Sequence, residues 1–301
     1  MSSKRRITKA HLFGGNWTED KLLRLQKYLS AYMTIFSNNP KAQYFTPIYI
    51  DAFAGTGYRT IKQENHDEAL FPEFAETETT QFLKGSARIA LEIKPSFGRY
   101  IFIEQDPEYM EELKSLKKEF APIAERIELL QGEANKHLKK LCEQTDWHRN
   151  RAVFFLDPYG MEVEWTTIEA IARTKAADLW LLFPLGVAVT RLLKRRHPPT
   201  GAWADRLTKM FGSDEWKTVF YPTRTHPSLF GDVEIQIRDA NWTQIGNYFV
   251  AKLKSVFARV APNPLVLKNS KNSPLFLLCF AASNPKGSST AVKIAQNILG
   301  R

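Results

Sequence analysis

The chain alternates short apolar runs with stretches in which apolar residues recur every three or four positions. Residues 17–36, WTEDKLLRLQKYLSAYMTIF, put Leu22, Leu25, Leu29, Tyr32, Met33 and Phe36 at helical spacing, with Thr18 as a cap, Glu19 and Asp20 in the first turn, and SNNP as the stop. An amphipathic helix is therefore expected before the first strand. Strands are predicted near 47–52, 99–104, 127–131, 151–156, 178–183 and 274–282, and helices near 85–94, 107–119, 133–144, 166–174, 186–195 and 242–260. Their regular alternation predicts an α/β fold, a doubly wound and mostly parallel sheet with helices on both faces. Residues 61–84 read as an insertion. Residues 197–240 mix Pro, Gly, Trp and charge without a period and read as a second insertion or a lid facing substrate. The whole of 1–301 is expected to form a single domain, with 15–40 as its N-terminal helical cap.

Composition narrows the class. A hydrophobic fraction of 44% and a charged fraction of 25% are ordinary for a globular protein. No apolar run approaches the ~18 residues of a membrane-spanning helix, and the basic N-terminus has no apolar segment behind it, so a cytoplasmic protein without membrane contact is expected. Cys142 and Cys279 stand far apart, without His or Cys neighbours at ligand spacing. That pattern suggests neither a disulfide framework nor a metal site, and both thiols read as buried apolar fillers.

Charge points to a partner. The net charge of +10, from 42 Lys and Arg against 32 Asp and Glu, favours an anionic ligand, most often DNA or RNA. The excess is clustered in KRR at 4–6 and in RLLKRRH at 191–197, which makes Arg191, Lys194, Arg195 and Arg196 candidate phosphate contacts. A solvated basic face is the plainer reading of either cluster alone.

In an open α/β sheet, ligands bind beyond the carboxyl ends of the strands, where strand order reverses. Four predicted strand ends carry suitable chemistry. The first, YIDAFAGTG, ends on Asp51 and continues through Phe53 to Gly55 and Gly57, so the backbone can approach a ligand closely beside an acid suited to an ammonium or hydroxyl group. Its spacing is neither GxGxxG nor GxxxxGK[ST], which disfavours nicotinamide and nucleotide triphosphate binding. At the second, YIFIEQDP, Glu104 can accept hydrogen bonds from ribose hydroxyls. The third, QGEAN, offers Gly132, Glu133 and Asn135 either to an adenine edge or as a helix cap. The fourth, FFLDPYG, delivers Asp157, Pro158 and Tyr159. This set of a carboxylate, a carbonyl and a ring suits a planar amine, although a capped turn would use the same residues.

Taken together, GNWTEDKLLRLQKYLSAY, YIDAFAGTG, GSARIALE, YIFIEQD, FFLDPYGMEVEWTTIEAIA, DLWLLFP and FLLCFAASNPKG resemble the three-Cys-motif partner protein family (TcmP), a group with the class I S-adenosylmethionine-dependent methyltransferase fold. The resemblance covers most of 15–300. It implies S-adenosylmethionine as cofactor, with Asp51, Phe53, Gly55 and Gly57 around the methionine moiety, Glu104 at the ribose and Glu133 on the adenine side. Asp157, Pro158 and Tyr159 would face the methyl acceptor. Amino-directed methyltransferases usually carry [DN]PP[YFW]; DPYG has one proline fewer and sets its ring one residue earlier. The family's name implies a partner with three cysteines, typically a radical-S-adenosylmethionine-like protein. The expected function is methyl transfer to an amino group of a nucleic-acid base. The alternative is a non-catalytic module of the same fold that binds nucleic acid or the partner.

Overall fold

The computed structural model describes residues 17–54, 85–158, 160–228 and 231–300. Gly55, Gly57, Tyr159, the 61–84 insertion and the basic 4–6 cluster lie outside them.

Helix α1 (Trp17–Asn38) leads into β1 (Thr46–Asp51). A helix over 85–92, α2, precedes β2 (Arg99–Glu104), α3 (Pro107–Glu119) and β3 (Ile127–Gln131). Then come α4 (Ala134–Gln144), β4 (Asn150–Leu156), α5 (Trp165–Arg173) and β5 (Ala177–Phe183). Beyond them lie a π turn (Leu185–Val189) running into α6 (Thr190–Leu192), then α7 (Ala202–Phe211), α8 (Glu215–Phe220) and the hairpin of β6 (Thr223–Ser228) and β7 (Gly231–Gln236). Helix α9 (Trp242–Val256), β8 (Arg259–Val260), β9 (Leu265–Lys268), β10 (Pro274–Ala282) and α10 (Ser288–Leu299) complete the described chain.

The eight-stranded sheet has the order β3-β2-β1-β4-β5-β10-β8, with β9 also paired to β10. Strands β1 to β5 are parallel, and β10 runs antiparallel to β5. This is the doubly wound, mostly parallel sheet of the class I methyltransferase fold, with one reversed strand near its edge. The strands read clearly in sequence because both faces are covered; every residue of β5 is buried.

Alternation along the strands sends side chains to two cores. On one face Tyr49, Phe102, Phe155 and Trp180 meet Tyr28 and Leu29 of α1, Leu91 of α2 and Leu299 of α10. On the other, Ile50, Phe154, Leu181 and Phe183 meet Leu138 of α4, Ile168 of α5 and Phe249 of α9. The 197–240 region is largely built into this second core. Leu207, Met210 and Phe211 of α7 and Trp216 and Phe220 of α8 are buried there, and only the β6–β7 hairpin forms a separate sheet. Gly212 closes α7 at φ +79, with Trp165 so close that an added Cβ would lie 2.1 Å from its ring. Glycine alone suits that corner.

The helix predicted over 186–195 opens as a π turn and stops at Leu192; Gly186 packs directly on the start of β10, where a Cβ would sit 1.8 Å from the Pro274 carbonyl oxygen. The helix predicted to reach 260 ends at Val256, and residues 259–260 form an edge strand instead.

Candidate active site

Strand order reverses between β1 and β4, so a ligand crevice is expected at their carboxyl ends. Three acids arrive there. Asp51 ends β1 in register with Phe102 of β2 and Phe155 of β4. Glu104 and Asp157 each stand two residues beyond those partners, so the period-two alternation sends all three carboxylates toward the α1 face. The turn after Asp51 is fixed by Ala52 N–H donating to Phe155 O (3.2 Å) and Ala54 N–H donating to Ile103 O (3.1 Å). Phe53, buried, turns its ring into the opposite core.

Asp51 is fully buried. Its Oδ2 accepts from the Tyr49 hydroxyl at 3.2 Å, while Oδ1 has no hydrogen-bond partner among the described residues. Burial pushes its carboxyl up to about 7; Ser86 pulls the other way and the neighbouring charge of Asp157 adds to the rise. Ser86 is the strongest of the pulls that lower it, ahead of the Tyr49 hydroxyl and the Phe53 N–H, although the Ser86 hydroxyl and Asp51 Oδ1 do not reach full hydrogen-bond geometry. Glu104 is 2% exposed. Its Oε1 accepts from the backbone N–H groups of Gln105 and Asp106, both at 2.7 Å, and Oε2 has no partner among the described residues. Burial raises this carboxyl to about 7 against the pull of those two N–H groups. Neighbouring strand tips thus each present a buried carboxylate with one unused oxygen. Such groups are costly unless a ligand completes them.

Asp157, 8% exposed, is ion-paired at 2.8 Å with Lys21 of α1, itself 4% exposed. Burial raises the Asp157 carboxyl and Lys21 opposes the rise. Lys21 Nζ also lies 4.6 Å from the centre of the Trp17 ring, which contacts Phe276 of β10. Sequence reading missed Lys21, because a lone lysine on an amphipathic helix looks like any solvated charge. Pro158 is buried and lines a small apolar cavity with Met161, Phe183 and Met210.

Glu133 is exposed and caps α4, accepting from the backbone N–H groups of Asn135 (2.8 Å) and Lys136 (2.7 Å). Asn135 is structural. It donates to Glu162 O (2.8 Å) and Glu133 Oε1 (2.6 Å), and it accepts from Glu164 N (3.0 Å) and the Thr167 hydroxyl (2.8 Å), tying α4 to the segment after β4. Asn135→Leu is expected to strand the buried Thr167 hydroxyl, break the other three bonds and destabilise the protein by about 2 to 4 kcal/mol, measurable by denaturant unfolding.

The side chains of Arg191, Lys194, Arg195 and Arg196 are exposed, as their clustering predicts. Their backbone is held at the foot of the β6–β7 hairpin. The Tyr221 hydroxyl donates to Lys194 O (2.8 Å), Arg238 N to Arg195 O (3.0 Å), His197 N to Gln236 O (3.2 Å), and the Arg238 guanidinium to Leu193 O (2.6 Å).

An open groove of about 870 Å³ lies at the opposite, amino-terminal edge of the sheet, lined by Tyr44, Phe45, Trp147 and Arg151 among others. None of the three acids borders it, so buried charge marks the site rather than the size of a hollow. Cys142 and Cys279 are free thiols; burial raises Cys142 to about 12 and Cys279 well above the ordinary range, which makes both poor nucleophiles. Among the described residues no group of three or more His, Cys, Asp or Glu could hold a metal ion, and no helix is long and apolar enough to cross a membrane.

No protein-family model matches the chain, and no curated protein does. Solved structures share its outline loosely. A DUF519 protein from Legionella pneumophila is 13% identical over 95% of this chain and 92% of that one, with a TM-score of 0.49. The glycopeptide N-methyltransferase MtfA in complex with S-adenosyl-L-homocysteine is 10% identical over 90% of each chain, at 0.33. An O-methyltransferase from Bacillus cereus, also in complex with that molecule, is 12% identical over 90% of this chain and 93% of that one, at 0.35. The fold assignment rests on strand order and direction, which these likenesses accompany.

Proposed function

We propose that the protein is an S-adenosylmethionine-dependent methyltransferase of the three-Cys-motif partner type, acting on the amino group of a nucleic-acid base together with a three-Cys-motif protein. The observation that supports this most is the pair of unpartnered carboxylate oxygens, Asp51 Oδ1 and Glu104 Oε2, on adjacent strand tips at the switch point. They fit the cofactor's donors: an ammonium for Asp51 and ribose hydroxyls for Glu104. Gly55 and Gly57 would let the backbone close on the methionine moiety, beside Phe53. Glu133 keeps acceptor capacity for the adenine side, since a carboxylate offers about four lone-pair positions. S-adenosylmethionine supplies a methyl group on a sulfonium, already a good leaving group.

The chain's own part is positioning. Asp157 holds the acceptor amine and takes its proton, and Pro158 and Tyr159 would face the same acceptor. Arg191, Lys194, Arg195 and Arg196 hold phosphates, supported by the net charge of +10 and the fixed backbone beneath them. This part is tested by salt. Affinity for a single-stranded oligonucleotide should fall steeply between about 50 and 200 mM salt, and Arg195→Ala with Arg196→Ala should flatten the log–log slope by roughly one to two. An affinity indifferent to salt would remove the nucleic-acid assignment.

A further inference from the structure

Lys21 stands where the acceptor is expected. Its ammonium meets Asp157 Oδ2 at 2.8 Å, with both side chains shielded from water. It comes from the first turns of α1, which Trp17 pins against Phe276 of β10. Two ions held this deep are costly unless each meets the other in good geometry, and apolar residues would serve packing at least as well. Among the described residues, the charged and titratable groups acting on Asp157 are Lys21 from α1 and Asp51 and Tyr49 from β1. Lys21 is the cation among them.

Pairing with Lys21 does not exhaust Asp157, because a carboxylate accepts several donors. An acceptor amine bound to the same carboxylate must, however, sit within roughly 3 to 7 Å of Lys21 Nζ, since both donors share one small group. At that separation the Lys21 charge opposes a second ammonium and offsets much of what the carboxylate offers it, whereas a neutral amine meets no such opposition. Alkyl amines such as a lysine side chain are protonated at neutral pH, with a pKa near ~10. The exocyclic amine of adenine or cytosine is uncharged.

We propose that Lys21 is a specificity-determining residue whose ammonium admits to Asp157 only amines that are neutral at physiological pH, and turns away alkylammonium groups of the lysine or polyamine kind. The inference rests on the methyltransferase reading for the reaction itself. The electrostatic exclusion can be tested without it.

The probe is n-butylammonium, titrated at about pH 8, where the probe itself is protonated, into wild type, Lys21→Met and Lys21→Arg with S-adenosylhomocysteine present. Lys21→Met is expected to bind the probe at least roughly tenfold more tightly than wild type, and Lys21→Arg to behave as wild type. Equal binding by all three overturns the proposal. If Lys21→Met fails to fold, Lys21→Gln makes the same comparison. In a second arm, methyl transfer to an oligonucleotide with unpaired adenine and cytosine is set against transfer to a lysine peptide. Lys21→Met should lower that preference at least tenfold, and an unchanged preference counts against the role. A wild type that methylates neither substrate overturns the function proposed above, while the butylammonium titration still decides the exclusion.

Discussion

Asp51→Asn and Glu104→Gln each weaken binding of S-adenosylhomocysteine by roughly tenfold to a hundredfold, and the double variant abolishes it. Amides fit this test better than alanines. They keep the shape of the buried site and leave Tyr49, whose hydroxyl donates to Asp51 at 3.2 Å, with an acceptor. What they remove is charge, and charge is what an ammonium and a pair of ribose hydroxyls gain from meeting Asp51 and Glu104. Calorimetry on folded variants, with melting curves as the control, reads the result. A wild type that binds neither S-adenosylmethionine nor S-adenosylhomocysteine, alone or with the proposed three-Cys-motif protein, sinks the cofactor assignment. Variants that bind as well as wild type remove these two residues from it.

The same carboxyls give the free protein a pH signature. Burial holds Asp51, Glu104 and Asp178 at about 7, the last also bonded to the Tyr28 hydroxyl at 2.7 Å. Each binds its proton more tightly folded than unfolded. The stability this confers is full below the unfolded values near ~4 and fades as pH rises through about 7. The melting temperature of the free protein should therefore fall between about pH 5 and about pH 8. Cofactor donors prefer the ionised forms, so affinity should rise over the same range with release of protons. Bound protein should show a shallower fall, carried by Asp178 alone of the three. A melting temperature that climbs from pH 5 to pH 8 in the free protein contradicts these assignments.

What the sequence made legible follows from burial on both faces. Strands β1, β2, β4, β5 and β10 are long apolar runs, and the acids that interrupt them at Asp51, Glu104 and Asp157 stand out against that background. Strands β8 and β9, of two and four residues, are too short to carry a period. The β6–β7 hairpin pairs TRTHPS with GDVEIQ, in which polar residues predominate. Helix α7 was readable in principle from Leu207, Met210 and Phe211, but Pro, Gly and Trp around it obscured the spacing. The cap on α4 was one of two open readings of Glu133, and the structure supplies its partners. The importance of Lys21 was hidden for a different reason, as was the structural role of Asn135, which the sequence offered instead to an adenine edge or as a cap. Their importance lies in tertiary partners, Asp157 lying 136 residues from Lys21 and Thr167 lying 32 from Asn135, and no local pattern records those distances.

Asp157→Ala is expected to lower methyl transfer by at least roughly a hundredfold to ten-thousandfold, the range that positioned acid–base groups contribute, while S-adenosylhomocysteine binding stays within about threefold of wild type. The separation of effects follows from topology. Asp51 and Glu104 lie on β1 and β2, whereas Asp157 follows β4 across the switch point, so removing the acceptor side takes from the cofactor side only the charge that Asp157 exerts on Asp51. Alanine also leaves Lys21 as a buried cation without its carboxylate, a change that by itself can destabilise the fold by about 3 to 5 kcal/mol. Lys21→Met with Asp157→Leu replaces the pair by apolar groups and restores that stability without restoring chemistry. A double variant that melts like wild type, binds the cofactor product and transfers no methyl group would place Asp157 in the reaction rather than in the scaffold. Transfer retained by that variant would move the acceptor site elsewhere on the rim.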